Sequence, residues 1–195
     1  MIILGVDPGT LVTGYGVIET NAKSTNKRAS ATMQVIEYGT IESKKISSLP
    51  LRLRTIFLRL SAVIERVIPD ELAIESAFYH KNVQSTLKLG HARGVAILAG
   101  VLKDLPTSEY APREVKRAVV GNGNASKEQV EFMVRTILCL RPSDKKLPDA
   151  YDALAVAIAH AARLGQHASV ETASGKKSAR SWKQFVQENP NRVKS

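Results

Sequence analysis

Residues 2–19, Ile-Ile-Leu-Gly-Val-Asp-Pro-Gly-Thr-Leu-Val-Thr-Gly-Tyr-Gly-Val-Ile-Glu, restrict the fold more than any other stretch of the chain. An apolar run from Ile2 to Val6 delivers one carboxylate, Asp7, to the end of a strand. Pro8-Gly9-Thr10 then turns the chain, and Thr13 to Ile18 reads as a second strand. Proline before glycine is a strong turn signal, because proline presets φ and glycine tolerates φ > 0. Asp7 is therefore expected at the carboxyl end of a buried strand, beside a tight turn. A buried carboxylate is costly unless it is paired or coordinated, often to a metal. A lone aspartate here satisfies the turn backbone equally well. Whether other carboxylates reach the same place decides between the two.

The chain has 195 residues, enough for one domain with a real core and an appendage. No stretch approaches the roughly 20 apolar residues of a membrane span, and no signal peptide is expected, since the first apolar run meets Asp7 too early. The single cysteine, Cys139, excludes an internal disulfide and suits a reducing cytoplasm. A formal net charge of +10 and a pI near 9.8 favour a polyanionic partner such as nucleic acid. The excess is spread, with +4 in residues 165–195 and +6 before them. From Gly165 the chain is rich in Ser, Lys, Gln and Asn, and is read as a mobile basic tail. Trp182, Phe185 and Val186 offer it a short apolar face.

Residues 20–33 are polar and read as an exposed hairpin loop leading to a third strand, Gln34 to Glu42, so the first three strands form an antiparallel meander. The period then changes. Leu53, Ile56, Phe57, Leu60, Val63, Ile64 and Val67 mark an amphipathic helix that Pro69-Asp70 ends. Leu72 to Glu75 is a short buried strand, again closed by a carboxylate. A helix from Asn82 to Lys103 carries Gly90, Gly94 and Gly100, each costing up to about 1 kcal/mol against alanine. They imply close packing, on the sheet or on the same helix of a second subunit. Leu105 to Tyr110 is a fifth strand, and Arg113 to Val119 a short helix bearing Lys116 and Arg117. Ser126 to Gln129 is a capping box, opening a helix that Arg141-Pro142 closes. The last helix opens with Pro148-Asp149-Ala150-Tyr151-Asp152, is apolar nearly all round to Ala162, and has Gly165 at its expected C′ position.

Asp149 and Asp152, at i and i+3, share one helix face with Cβ atoms roughly 5–6 Å apart. Acids in a first turn are also favoured by the helix dipole, but this helix must be buried, so its acids meet the core. Four carboxylates thus arrive from three elements: Asp7, Glu75, Asp149 and Asp152. Hard oxygen donors without Cys or His partners point to Mg²⁺, with Mn²⁺ as a substitute, rather than Zn²⁺. Two such ions suit phosphoryl chemistry. His80, His91, His160 and His167 have no ligand spacing, His160 is read as structural, and no Ser, His or Cys nucleophile arrangement is supported.

Five segments together resemble the RuvC-type Holliday junction resolvases of the ribonuclease H-like superfamily. They are Gly5-Val-Asp-Pro-Gly-Thr with Thr13-Gly-Tyr-Gly-Val, Ala73-Ile-Glu-Ser-Ala-Phe, Lys81-Asn with Leu87-Lys-Leu-Gly-His-Ala-Arg-Gly, Val115-Lys116 with Val119-Val-Gly-Asn-Gly, and Asp149-Ala-Tyr-Asp-Ala-Leu-Ala. An Asp-x-Gly-Thr turn alone is weak, but five segments in order and spacing are strong. The resemblance spans Met1 to about Leu164. It implies an α/β fold, a five-stranded mixed sheet of three antiparallel strands then two parallel, flanked by helices, over residues 1–164. It also implies a crossover junction endodeoxyribonuclease that cuts a four-way junction by paired, symmetric, metal-dependent nicks, leaving 5′-phosphate and 3′-hydroxyl ends, in recombination and repair.

Carried over residue by residue, Asp7, Glu75, Asp149 and Asp152 match the family's catalytic, metal-binding acids. Lys116 and Lys127 match basic residues engaged with DNA and catalysis, and Phe78 matches an aromatic that stacks on bases near the junction centre. Lys81 and Arg117 are added as DNA contacts. Resemblance further implies a homodimer through the glycine-bearing helix and a branch-migration complex of RuvA and RuvB as partner. The turn glycine beside Asp7 is read as keeping bulk away from the incoming phosphate. A sugar-kinase or actin-like ATPase shares the opening turn but needs a second lobe, and a non-catalytic nucleic-acid module of this fold would not need all four acids.

Overall fold

The computed structural model describes residues 1–21, 32–76, 83–140 and 147–174, with side chains of the last helix described through Gly165. Strands β1 (Ile2–Asp7), β2 (Val12–Thr20), β3 (Met33–Glu42), β4 (Glu71–Glu75) and β5 (Thr107–Tyr110) form one sheet in the order β3-β2-β1-β4-β5. The first three are antiparallel neighbours, while β4 runs parallel to β1 and to β5. This is the expected mixed sheet. Residues 22–31 of the expected hairpin loop lie outside the described residues.

Alternation along the strands sends side chains to two separate cores. Leu4, Val6, Val17, Leu72 and Ile74 pack with α1 (Leu49–Val67) and α2 (Val83–Val101) on one face. Ile3, Ile18 and Ala73 pack with α3 (Pro112–Val120), α4 (Lys127–Ile137) and α5 (Pro148–Ser174) on the other. Each fully buried Leu or Ile contributes roughly 1.5–3 kcal/mol against exposure. A helix hydrophobic all round has to be covered all round, and α5 is buried from Ala153 to Ala161 between the sheet, α3 and α4.

Close approach of α5 to the sheet requires glycine. A Cβ on Gly5 would stand 2.2 Å from the Ala153 carbonyl oxygen, one on Gly14 1.8 Å from that of Asp149, and one on Gly16 2.6 Å from Leu154. Gly5 pairs with Gly16 across the strands, and Gly14 with Asp7. The three form a bare strip on which the first turns of α5 lie directly.

Two helix ends differ from the sequence expectation. Helix α4 stops at Ile137, and Cys139 already has a positive φ of 51°, so the chain leaves the helix before Arg141-Pro142, which lie outside the described residues. Helix α5 does not stop at Gly165 but continues to Ser174. Glycine weakens a helix without ending it unless the chain adopts the left-handed conformation there, as Gly121 does after α3 at φ 82°. The segment expected to be a tail from Gly165 thus begins as helix, and residues 175–195 lie outside the described residues.

Two substitutions test this packing in urea unfolding. Gly14→Ala is expected to cost about 1–3 kcal/mol, because the Asp149 backbone cannot yield without lifting α5. Gly165→Ala is expected to stabilise by up to about 1 kcal/mol, as in a helix interior, whereas a left-handed C′ glycine would make it destabilising.

Candidate active site

Parallel pairing of β1 with β4, with Val6 opposite Ile74, brings Asp7 and Glu75 to the same sheet edge, as expected outside the carboxyl ends of strands. Their carboxyl groups hydrogen-bond to each other. The glycine strip seats the start of α5 over the same edge and brings Asp152 to them. The three acids line a cleft of about 380 Å³ with Lys116 of α3 and Lys127 of α4. Its apolar walls include Leu89, Val115 and Val130. Asp149 is half-buried outside the cleft wall, and its charge is felt at Asp7.

The turn after Asp7 is fixed by two buried hydroxyls. Thr13 Oγ1 donates to the Gly9 carbonyl at 2.8 Å and accepts from the Gly9 N–H at 3.4 Å. Ser43 Oγ donates to the Thr10 carbonyl at 2.8 Å, while its own N–H donates to Leu11 O at 2.9 Å. A Cβ on Gly9 would meet the Val12 carbonyl oxygen at 2.1 Å. The turn's own backbone therefore demands glycine here, independently of any space the turn leaves for a phosphate.

Crowding of like charge dominates the electrostatics. Burial, then Asp152 and Asp149, push the Asp7 carboxyl up to about 6, against the lowering effect of its bond to Glu75. Burial, then Asp7 and Asp152, push Glu75 up to about 8. Both shifts favour retention of a proton on the pair, and Glu75 is raised the more strongly of the two. Asp152 is met differently, by Lys127 Nζ at 2.9 Å from Oδ2. That bond is the main reason the Lys127 ammonium titrates above its usual range. Lys127 is the first residue of α4, where the helix dipole disfavours a cation. The cluster of acids offsets that penalty.

Of the residues singled out from sequence, the fold brings Asp7, Glu75, Asp152, Lys116 and Lys127 together, with Asp149 beside them. Arg117 is exposed on α3 and does not line the cleft. Phe78 and Lys81 lie outside the described residues. Among the described residues, no group of three or more Asp, Glu, His or Cys side chains is spaced to hold an ion as it stands. The donor set nevertheless fits a hard divalent cation: the carboxylates converge, their negative charge is under-compensated, and an ammonium already occupies one of them. Sequence reading passed over Ser43, since a single serine after a strand carries no pattern, and read the glycine strip as motif rather than packing.

A family model described as "Crossover junction endodeoxyribonuclease RuvC" matches residues 3–160. The chain is 42% identical over 195 residues to the crossover junction endodeoxyribonuclease RuvC of Porphyromonas gingivalis, covering 99% of this chain and 97% of that one. It is 46% identical to that of Cytophaga hutchinsonii over 194 residues, covering 100% of this chain and 88% of the relative. Among solved structures, Thermus thermophilus RuvC in complex with Holliday junction substrate aligns with a TM-score of 0.75 at 28% identity, over 86% of this chain and 97% of that one. The yeast mitochondrial Holliday junction resolvase Ydc2 aligns at 0.57 and 13% identity, over 85% of this chain and 82% of that one, a likeness of fold alone.

The crowded acids carry a pH signature. Asp7 and Glu75 titrate higher folded than unfolded, so between about pH 4 and pH 8 the folded state binds more protons and stability falls as pH rises. With EDTA present, the unfolding free energy is expected to drop by on the order of 2 kcal/mol between pH 5 and pH 8, at about 1.4 kcal/mol per unit with allowance for the shared proton. Asp7→Asn is expected to flatten that slope and to raise the melting temperature at pH 8. Equal slopes in the two proteins would contradict the arrangement.

Proposed function

The chain belongs to the RuvC family of crossover junction endodeoxyribonucleases and resolves Holliday junctions, and we propose that Asp7, Glu75, Asp149 and Asp152 are the acids that hold its metal ions. The observation that carries this reading is the convergence of acids from β1, β4 and α5 on one cleft that Lys116 and Lys127 also line. A single five-stranded sheet carries the site, so the two-lobed ATPase alternative has no support among the described residues.

Magnesium fits this all-oxygen set, with manganese as substitute, and two ions bound there supply an activated water and positive charge to offset the phosphate. The chain's own residues do the rest. Asp7 is held by a rigid strand and a clamped turn, and Glu75 by the neighbouring strand, so both acids are oriented before substrate arrives. Lys127, on the rim and already bonded to Asp152, is placed to exchange that partner for a phosphate oxygen. Lys116 offsets the negative charge that develops on the leaving 3′ oxygen. The products are a 5′-phosphate and a 3′-hydroxyl. Phe78 stacks on a base near the branch point, worth about 1–3 kcal/mol, and Lys81 and Arg117 contact backbone phosphates.

Two opposed strands must be cut, and a homodimer supplies two sites related by a two-fold axis. Support comes from α2, where Val83, Leu87, Gly90, Gly94, Leu98 and Val101 share a helix stripe and are all exposed. The two readings of the α2 glycines divide. A Cβ on Gly100 would stand 2.4 Å from Leu72 of the sheet, but among the described residues Gly90 and Gly94 have nothing within 4 Å. Those two are free to meet a partner helix. The nuclease unit is assigned to residues 1–164, and segment 165–195 adds a net +4 that strengthens DNA binding. The protein acts in the cytoplasm, and a branch-migration complex of RuvA and RuvB is its partner by resemblance.

The test is Mg²⁺-dependent nicking of a synthetic four-way junction, with linear duplex as control. Asp7→Asn and Asp152→Asn are expected to lower the cutting rate by roughly 10²–10³-fold or more while junction binding persists. Wild-type rates in purified Asp7→Asn protein would refute the assignment. Lys127→Ala is expected to slow cutting and to reduce the salt dependence of binding by about one phosphate contact.

A further inference from the structure

Helix α5 brings two of the four acids to the site, yet little in its apolar packing fixes where it lies along its own axis. Its buried stretch is largely alanine, and at Gly5 it meets a strand with no side chain at all. Helices lock against neighbours by seating ridges in grooves, and an alanine surface on a glycine strip has shallow ridges. Hydrophobic burial itself is non-directional. Leu154, Val156 and Ile158 supply what ridges there are, and a directional interaction sharpens the axial position they set.

His160 supplies one. It is 2% exposed, lies two turns beyond Asp152, and has a partner at each ring nitrogen. Tyr110 Oη lies 2.7 Å from Nδ1, and Glu71 Oε2 lies 2.7 Å from Nε2. Burial lowers the pKa of the ring, and a neutral ring satisfies both contacts in one tautomer only: Nε2–H donates to the carboxylate while Nδ1 accepts from the phenol. The two partners stand on different strands, Glu71 at the start of β4 and Tyr110 at the end of β5. One turn further along α5, the Arg163 guanidinium stands over the Tyr110 ring at 5.7 Å.

Tyr110 also reaches the other half of the site. Its carbonyl accepts from Ser76 N–H at 2.8 Å and from Ser76 Oγ at 3.0 Å. Ser76 follows Glu75, and Glu75 is the residue opposite Tyr110 in the pairing of β4 with β5. One tyrosine therefore grips α5 through its hydroxyl and the end of β4 through its carbonyl.

We infer that His160 is a positioning residue: with Tyr110 and Glu71 it sets the axial register of α5 on the sheet, and so the placement of Asp149 and Asp152 against Asp7 and Glu75. The inference rests on the assignment of those acids as metal ligands. Stability alone does not require this network, since replacing buried polar groups by well-packed apolar ones is often neutral or stabilising. What an apolar replacement removes is direction.

The experiment compares wild type with His160→Leu and Tyr110→Phe as full chains. Melting temperature without metal, Mn²⁺ affinity by titration calorimetry, four-way junction binding, and single-turnover cutting at saturating junction are measured for each. Both variants are expected to bind junction as wild type does. Their Mn²⁺ affinity is expected to fall about 10-fold, the range seen when the support of a metal ligand is lost, with slower cutting at a fixed subsaturating Mn²⁺ concentration. Mn²⁺ affinity and cutting within twofold of wild type in both, whatever the melting temperature, overturns the inference. If His160→Leu does not fold, Tyr110→Phe, which removes one oxygen, decides alone. Asp152→Asn separates the two layers. Undiminished Mn²⁺ binding in that variant means the ligand assignment has failed, whereas loss there with normal binding in the other two means that only the register inference has.

Discussion

The contact between the first turns of α5 and the side-chain-free strip of β1 and β2 is the one on which the rest of the site depends. Asp7 and Glu75 are fixed by strand pairing and would lie at the same edge in any sheet with this topology. Asp149 and Asp152 belong to a helix, and a helix over a sheet ordinarily stands at a distance set by side chains. Gly5, Gly14 and Gly16 remove those side chains where the Asp149 and Ala153 carbonyls come down. Glycine in a strand weakens it and often marks close approach by another backbone. Here three strand glycines carry that cost, and the helix acids reach the strand acids.

That proximity opposes stability. Four carboxylates from three elements repel one another, and burial adds to the penalty at Asp7 and Glu75. The protein atoms relieve part of it with a shared proton and part with Lys127. Neither relief is strong: the shared proton is lost as pH rises, and the lysine side chain is 73% exposed on a rim. A mobile ammonium on a surface is readily exchanged for another cation. The site thus favours positive charge and holds its own only loosely, which suits a nuclease whose substrate is a polyanion.

How much of this the sequence disclosed depended on whether the signal was local. The strands, the change to helical period at Leu53 and the capping box at Ser126 rest on neighbours in sequence, and all were legible. The meeting of Asp7, Glu75 and Asp152, with Asp149 beside them, was legible because each stands at the end of a regular element whose direction topology dictates. Gly165 misled because glycine marks a helix end only when φ turns positive, and sequence does not reveal φ. Ser43 and Tyr110 were opaque for another reason. Each acts through hydrogen bonds to residues more than 30 positions away, and a single polar residue at a strand end has no periodicity to betray it.

The glycines show why composition alone misleads on function. Gly14, Gly94 and Gly121 are the same residue in three physical roles. The first leaves room for an apposed carbonyl, the second faces open space on an exposed helix stripe, and the third takes a left-handed φ of 82° that ends a helix. Only the first bears on the positions of the acids. The second keeps bulk off the exposed side of α2, and the third sets the turn from α3, which carries Lys116, toward Lys127 at the head of α4. Substitution by alanine separates them in principle, because it introduces a clash at the first, an extra methyl on an exposed stripe at the second and backbone strain at the third. The distance between the acids and the approach of the lysines are thus set independently, the one by the first glycine and the other by the third.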